Sequence, residues 1–229
     1  MEKIGNITLH NADCMEIMKT LSDKQFDLAI VDPPYGIGAD KAQNNAAEQR
    51  IKANGKSKAG KGWKQYKSTN WDNEIPSEEY FKELFRVSKV QIIWGGNYFP
   101  YIWNFSNSFI IWNKMQREFS LADGELAWYS ETNKAMRTFD FSRGSALANN
   151  NNNGGRFHPT QKPVALYKWL LNKYSKEGDT ILDTHLGSGS SAIAAHDGGF
   201  EFTGIELDEE YYNAAKERII LHQRQLNLF

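Results

Sequence analysis

The fold is decided by one stretch of the sequence, which reads Thr180-Ile181-Leu182-Asp183-Thr184-His185-Leu186-Gly187-Ser188-Gly189-Ser190-Ser191-Ala192. Its first residues predict a short buried strand, its glycines predict a tight turn, and the small residues after them predict the start of a helix. A second predicted strand, 202–206, follows and ends in an acid. This order of strand, glycine-rich turn, helix and acid-ended strand is typical of domains that bind the adenosine part of a cofactor.

The glycine-rich turn alone leaves three interpretations open: a dinucleotide site, an S-adenosylmethionine site, or a tight turn with no ligand. Glycines let the backbone approach a ligand closely, and Glu206 can accept hydrogen bonds from ribose hydroxyls. Asp183 favours S-adenosylmethionine, because a carboxylate suits the cationic amine of the methionine part and would repel a pyrophosphate.

Outward from this stretch, predicted strands and helices alternate along the chain. Further strands are predicted at 7–9, 26–31, 90–94, 108–112 and 126–129, and helices near Asp13, Ser77, Pro163 and Asp208. This alternation predicts an α/β fold with a doubly wound, mostly parallel, Rossmann-like sheet. The length suits a single domain over residues 1–229, in which 36–75 and 143–157 are predicted to be a lysine-rich insertion and an Asn/Gly-rich loop.

The composition narrows the functional classes. We expect a cytoplasmic protein without a membrane span, because no apolar run is long enough to cross a bilayer and Cys14 is the only cysteine. The net charge is −1, yet residues 41–67 carry eight basic side chains and one acid. A solvated surface loop or a segment that closes over a phosphate backbone would both fit that run.

Asp32-Pro33-Pro34-Tyr35, directly after a predicted buried strand, is the most specific motif of the sequence. An exocyclic base amine is a poor nucleophile because its lone pair is delocalised into the ring. Hydrogen bonds from the amine to the Asp32 carboxylate and the Pro33 carbonyl would localise that lone pair, and two prolines hold the carbonyl rigidly. Tyr35 can stack on a base that has left the helix.

The sequence resembles the permuted, β-class amino-methyltransferases, in which the catalytic motif precedes the cofactor-binding motif. It shares with them Asp32-Pro33-Pro34-Tyr35 and the whole of His158-Pro159-Thr160-Gln161-Lys162-Pro163. It departs at Thr184 and His185, where the family usually has Pro and Phe. The resemblance covers nearly the whole chain apart from 36–75 and 143–157, which are the candidate DNA-contacting segments.

The resemblance implies a set of site residues and partners. The implied catalytic residues are Asp32, Pro33, Pro34 and Tyr35. The residues implied around S-adenosylmethionine are Asp13, Thr160, Lys162, Asp183, His185, Gly187, Ser188, Gly189 and Glu206. Asp13 fits a helix N-cap equally well. The implied substrate is double-stranded DNA, the protein a monomer or homodimer, and no metal is needed, since a sulfonium is already activated for direct methyl transfer.

Adenine N6 is the expected acceptor, because enzymes that methylate cytosine N4 more often have Ser than Asp at the first motif position. Cytosine N4 and an amine of RNA remain alternatives with the same chemistry. A nicotinamide-dependent oxidoreductase is a distant alternative, because it leaves the Asp32 and His158 motifs without a role. A non-catalytic nucleic-acid-binding module would not require an intact Asp32 and Tyr35.

Overall fold

The computed structural model describes residues 1–38, 72–117, 122–152 and 154–226. The lysine-rich run at 41–67 therefore lies outside the described residues, and its predicted contact with DNA stays a prediction. The same is true of most of the predicted insertion at 36–75.

Nine strands and six helices form the described part of the chain. The strands are β1 (Glu2–Ile4), β2 (Ile7–Asn11), β3 (Phe26–Val31), β4 (Ser88–Trp94), β5 (Ser108–Asn113), β6 (Gly124–Tyr129), β7 (Arg137–Asp140), β8 (Thr180–Asp183) and β9 (Glu201–Glu206). The helices are α1 (Cys14–Met18), α2 (Glu78–Val87), α3 (Arg143–Asn152), α4 (Val164–Tyr174), α5 (Ser190–Asp197) and α6 (Glu209–Leu226). Two short 3-10 turns, Gly96–Tyr98 and Pro100–Ile102, follow β4.

All nine strands join one sheet in the order β1-β2-β9-β8-β3-β4-β6-β5-β7. The central neighbours β2, β9, β8, β3 and β4 run parallel to one another. Strand β6 is antiparallel to both β4 and β5, and β1 is antiparallel to β2. The predicted mostly parallel, doubly wound sheet is therefore confirmed.

Helices cover both faces of the sheet because the side chains of β3 alternate between them. Leu28 and Ile30 pack in one apolar cluster with residues of α4, α5 and α6. Ala29 and Val31 pack in a second cluster with residues of α2. A strand buried on both faces reads as a continuous apolar run, which is the pattern that predicted it.

The sheet reverses its winding between β8 and β3. From β3 the chain continues to β4 on one side, whereas from β8 it continues through α5 to β9 on the other side. At such a switch point the loops after neighbouring strands diverge and leave a crevice at the carboxyl ends of the strands. Asp32 and the glycine-rich turn follow the two strands that border this crevice.

The prediction of a loop over 143–157 is wrong for residues 143–152, which form helix α3. The backbone N–H of Ser145 donates to Oγ of Ser142 at 3.1 Å, as a helix start requires. Ala146 and Asn150, one turn apart, are both buried, and Oδ1 of Asn149 accepts from the N–H of Ala165 in α4. Packing against α4 therefore outweighs the weak helix propensity of asparagine.

Candidate active site

The predicted site residues come together at the carboxyl edge of the sheet. Asp32 directly follows β3, whereas Asp183 and Glu206 are the last residues of β8 and β9. Asp183 lies close enough to both of these acids for their charges to influence its pKa. Asp13, after β2, similarly influences the ring of His185. The parallel strands therefore unite motifs that lie far apart in the sequence.

The Asp32 carboxylate is held by hydrogen bonds to both of its oxygens. Oδ1 accepts from the Tyr35 hydroxyl at 2.6 Å, and Oδ2 accepts from Nζ of Lys162 at 2.5 Å. Burial raises the pKa of Asp32, and the Lys162 ammonium opposes that effect. Burial and the Asp32 charge raise the pKa of Tyr35, so its hydroxyl stays protonated and donates.

Asp72 holds the end of the Asp32–Tyr35 motif from outside it. Its Oδ1 accepts from the backbone N–H groups of Tyr35 and Gly36 at 2.7 and 2.9 Å, and its side chain is buried. The sequence did not single out Asp72, because an aspartate in a polar stretch carries no signal of a partner many residues away.

Aromatic rings enclose Tyr35. Its ring stacks on Tyr98 with centroids 5.2 Å apart and lies edge-on to Phe99 at 6.2 Å. Gly95, directly after β4, lies against the same ring, with a φ of +71°. A Cβ at Gly95 would lie 2.2 Å from Cε1 of Tyr35, so only glycine fits there.

We expect Gly95→Ala to lower the unfolding free energy by about 2–5 kcal/mol, by adding overpacking to left-handed backbone strain. Turnover should fall as well, because the Tyr35 ring must move. Gly178→Ala is the matched control, since Gly178 has a φ of +87° and open space around its Cβ position. Chemical denaturation of both variants measures the difference, and equal losses of stability would contradict the proposed steric contact.

Four side chains of alternating charge contact one another in a row that consists of Asp32, Lys162, Glu125 and Lys114. Nζ of Lys162 lies 3.1 Å from Oε2 of Glu125, and Oε1 of Glu125 lies 2.7 Å from Nζ of Lys114. The Lys162 side chain is only 3% exposed. Burial would lower the pKa of Lys162, but Asp32 and Glu125 raise it above its ordinary value. Burial alone would raise the pKa of Glu125, yet Lys162 and Lys114 bring it down to about 2.

Sequence reasoning selected Lys162 for the cofactor group and did not select Glu125 or Lys114. A signal for Glu125 was present, because Glu125, Ala127 and Tyr129 alternate on one face of β6 and the latter two are buried. A carboxylate on an inward-facing row needs a buried partner. The structure supplies that partner in Lys162, whose assignment to the cofactor group stays a prediction.

On the other side of the crevice, Asp183 is buried at the end of β8. Its Oδ1 accepts from the N–H of His185 at 3.0 Å and its Oδ2 from the Ser191 hydroxyl at 2.6 Å. Burial raises its pKa to about 7, although these two hydrogen bonds act in the opposite direction. A carboxylate in this environment favours a cationic ligand, because the cation would remove the penalty of burying its charge.

Thr184 and His185, the departure from the family pattern, form a small network with α2. The Thr184 hydroxyl lies 2.7 Å from the Tyr80 hydroxyl and 2.9 Å from Nδ1 of His185. The rings of His185 and Tyr80 meet edge-on at 5.4 Å. Burial lowers the pKa of His185 to about 4, so the imidazole is neutral and presents an uncharged ring.

The glycine-rich turn is tied to Glu206. Oε2 of Glu206 accepts from the N–H of Gly187 at 2.7 Å, and Oε1 accepts from the N–H of Asp208 at 3.0 Å. The turn needs glycine because Gly187 and Gly189 have φ values of +52° and +72°. Each Glu206 oxygen has a further lone pair with which it can accept a ligand hydroxyl.

Buried Arg218 of α6 donates hydrogen bonds to the glycine-rich turn and to the start of α5. Its Nη1 donates to the Ser188 carbonyl at 2.7 Å and to the Ser190 hydroxyl at 3.0 Å. Burial lowers the pKa of Arg218 to about 10. Ser188 is therefore held through its carbonyl, and its role toward a cofactor stays a prediction.

Thr160 and Asp13, which lie in separate segments, are the remaining members of the predicted set. Oγ1 of Thr160 lies 3.3 Å from Nδ1 of His158, whose ring packs edge-on against Tyr211 at 4.5 Å. Oδ1 of Asp13 accepts from the N–H of Met15 at 2.8 Å, which confirms the predicted N-cap of α1. Nothing in the structure tests the cofactor roles of Asp13 and Thr160.

The described residues contain neither a metal-binding cluster nor a membrane-spanning helix. In residues 1–38, 72–117, 122–152 and 154–226 no group of His, Cys, Asp and Glu could hold a metal ion. Within the same ranges, every helix is too short or too polar to cross a membrane.

Comparison with known proteins identifies the family. The family model described as DNA methylase matches residues 26–217. The Type II methyltransferase M.HpaI of Haemophilus parainfluenzae is 26% identical over 91% of this chain and 72% of its own length. The solved complex of M1.HpyAVI with SAM superposes with a TM-score of 0.59 at 22% identity, over 93% of this chain and 99% of the other. The structure of the PvuII DNA methyltransferase, described as cytosine-N4-specific, has a TM-score of 0.55 at 13% identity over 97% and 95% of the two chains. Because the family model spans most of the sequence, the chain belongs to the DNA methylase family.

Proposed function

We propose that this DNA methylase transfers a methyl group from S-adenosylmethionine to N6 of an adenine that has been flipped out of double-stranded DNA. One observation carries the proposal: Asp32 directly follows β3, Asp183 ends the neighbouring parallel strand β8, and Glu206 ends the next strand, β9. An acceptor base bound at Asp32 and a methyl donor bound at Asp183 and Glu206 would meet across the switch point.

Asp32 and Pro33 act on the acceptor amine. The amine donates one hydrogen bond to the Asp32 carboxylate and the other to the Pro33 carbonyl, so its lone pair is directed toward the methyl group. Tyr35, already stacked on Tyr98, gives the base an aromatic surface. The proton that the amine loses after transfer is accepted at the Asp32 carboxylate.

The residues present fit S-adenosylmethionine, whose sulfonium supplies an activated methyl group when bound. Asp183 would hold the methionine ammonium, and Glu206 would accept from the ribose hydroxyls beside the backbone N–H groups that it already binds. The neutral ring of His185 offers a flat surface, and the glycine-rich turn admits the ligand close to the backbone. Positioning of the two reactants supplies the acceleration.

The choice of adenine rests on Asp32. A carboxylate is a stronger acceptor for an amine proton than the serine that cytosine-N4 enzymes more often carry at this position. The family model covers DNA methylases as a group, so the acceptor base is the part of the proposal that an experiment must decide.

The deciding experiment supplies the purified protein with methyl-labelled S-adenosylmethionine and unmethylated double-stranded DNA, then identifies the labelled nucleosides by mass spectrometry. We expect the labelled nucleoside to be N6-methyldeoxyadenosine. Labelled N4-methyldeoxycytidine would overturn the choice of base and keep the reaction class. Label in RNA alone, in a parallel reaction, would overturn DNA as the substrate.

A further inference from the structure

Glu125 and Lys114 belong to no methyltransferase motif recognised in the sequence, yet they lie directly behind the Asp32–Lys162 pair. Nζ of Lys162 contacts Oδ2 of Asp32 at 2.5 Å and Oε2 of Glu125 at 3.1 Å. Nζ of Lys114 closes the row at 2.7 Å from Oε1 of Glu125. The Lys114 and Glu125 side chains are 17% and 24% exposed, so the row is largely shielded from water.

We propose that Glu125 is a positioning residue for methyl transfer, which shares the Lys162 ammonium with Asp32 and so leaves Oδ2 of Asp32 able to accept from the base amine. This inference rests on the proposed function, because it assigns Asp32 to the amine. Glu125 itself touches no reacting atom in this scheme.

The geometry of the ammonium supports a shared cation. An ammonium has three N–H donors, and Lys162 directs them at Asp32, at Glu125 and at the Tyr35 hydroxyl, which lies 3.2 Å away. Its other neighbours are the rings of Trp94 and Tyr35, at 5.3 and 5.7 Å. Without the Glu125 charge, Asp32 would be the only anion among the described residues in contact with Lys162.

An exclusive Asp32–Lys162 pair would be a poorer acceptor for the base. The Lys162 charge lowers the pKa of Asp32 and so makes it a weaker acceptor, whereas the Glu125 charge raises that pKa. A second carboxylate divides the attraction of the cation between two anions. Lys114 keeps the arrangement electrically balanced, because it neutralises the oxygen of Glu125 that faces away from Lys162.

Several titratable groups face Asp32, and each belongs to a different element. They are Tyr35 of its own loop, Lys162 before α4, Tyr167 of α4, Tyr80 of α2, Glu125 of β6 and Asp183 of β8. Glu125 raises the pKa of Asp32, so removing its charge should lower that pKa. Removing the Lys114 charge should have the opposite effect.

The test compares Glu125→Gln, Lys114→Met and Glu131→Gln with the unaltered protein. At saturating S-adenosylmethionine, kcat/KM for DNA is measured against pH, because its acid limb reports groups of the enzyme–cofactor complex. Glu131 is the matched control: it lies just past the other end of β6 and pairs with Lys134 at the surface, where it is 44% exposed.

We expect Glu125→Gln to lower kcat by roughly 10–100-fold, the cost of a misplaced reacting group. Its acid limb should move to lower pH by roughly two units, the order expected for one charge about 6 Å away at an effective dielectric constant near 20, since both carboxylates contact the Lys162 ammonium. In Lys114→Met the limb should move to higher pH, whereas Glu131→Gln should leave both quantities unchanged. Opposite shifts distinguish an electrostatic role from a loss of folding.

Wild-type kcat and an unmoved acid limb in Glu125→Gln would overturn the inference. If Glu125→Gln fails to fold, the Lys114→Met variant decides. An acid limb of its kcat/KM profile at the same pH as in the unaltered protein would then overturn the inference. An Asp32→Ala variant in the same series distinguishes a failure of the proposed function from a failure of the role of Glu125. Full turnover in Asp32→Ala would overturn the proposed function, whereas an inactive Asp32→Ala beside an unaffected Glu125→Gln would overturn the role of Glu125 alone.

Discussion

Asp32→Ala is expected to lower methyl transfer by roughly 10²–10⁴-fold, the usual contribution of a positioned acid or base, while S-adenosylmethionine still binds. The carboxylate is the group that would accept the amine proton, and alanine leaves no acceptor in its place. Cofactor binding should persist because Asp183 and Glu206 are held by their own hydrogen bonds, none of which involves Asp32. Single-turnover transfer to DNA and equilibrium cofactor binding should be measured on one preparation.

The Asp32→Ala variant should remain folded, because Lys162 keeps a second anionic partner. Glu125 lies 3.1 Å from its ammonium, so removing Asp32 does not leave an unpaired buried cation. Asp32→Asn provides the isosteric control: it fills the same space, lacks the charge, and should also transfer slowly. Normal turnover in either variant would show that Asp32 takes no part in methyl transfer.

The sequence was informative wherever a candidate site residue directly follows or ends a buried strand. Asp32 and Asp183 each come after an apolar run, and parallel strands place such residues at one edge of a sheet. The mixed end of the sheet was harder to predict. Strand β7 was missed because three of its four residues are exposed, so it has no apolar pattern. Helix α3 was missed because its asparagines favour turns and its packing partner, α4, comes later in the chain.

Sequence reasoning could name Lys162 but could not name its partners. The contact between Lys162 and Glu125 depends on the register of β6 in the sheet, where Glu125 pairs with Trp112 of β5. Residues 114–123 separate these two antiparallel strands, so no tight turn in the sequence indicates which residue lies opposite Glu125. Asp72 was missed for a similar reason, since its hydrogen bonds to Tyr35 and Gly36 span a long separation in sequence. The motifs therefore indicated candidate site residues, whereas the side chains that contact them could be identified only from the fold.

Glu206→Ala is expected to weaken S-adenosylmethionine binding by about 2–4 kcal/mol, or roughly 30- to 800-fold, at the upper range for charge-assisted hydrogen bonds. Two effects are combined in this loss. The carboxylate would no longer accept from the ribose hydroxyls, and the glycine-rich turn would lose its bond from Gly187 to Oε2. Isothermal calorimetry measures the sum of the two effects.

An analogue of the cofactor that lacks one ribose hydroxyl separates the two effects. If Glu206 binds the ribose, the unaltered protein should lose affinity for the analogue, whereas Glu206→Ala should bind the analogue and the natural cofactor equally well. If Glu206 only anchors the turn, both proteins should lose the same affinity on removal of the hydroxyl, because the two changes are then independent and additive. Glu206→Gln extends the comparison, since its amide nitrogen would face the N–H of Gly187 or Asp208, both of which are donors. That variant should therefore lose turn stability and ribose binding together, and a Glu206→Gln protein with unchanged melting temperature and unchanged affinity would contradict both roles of this carboxylate.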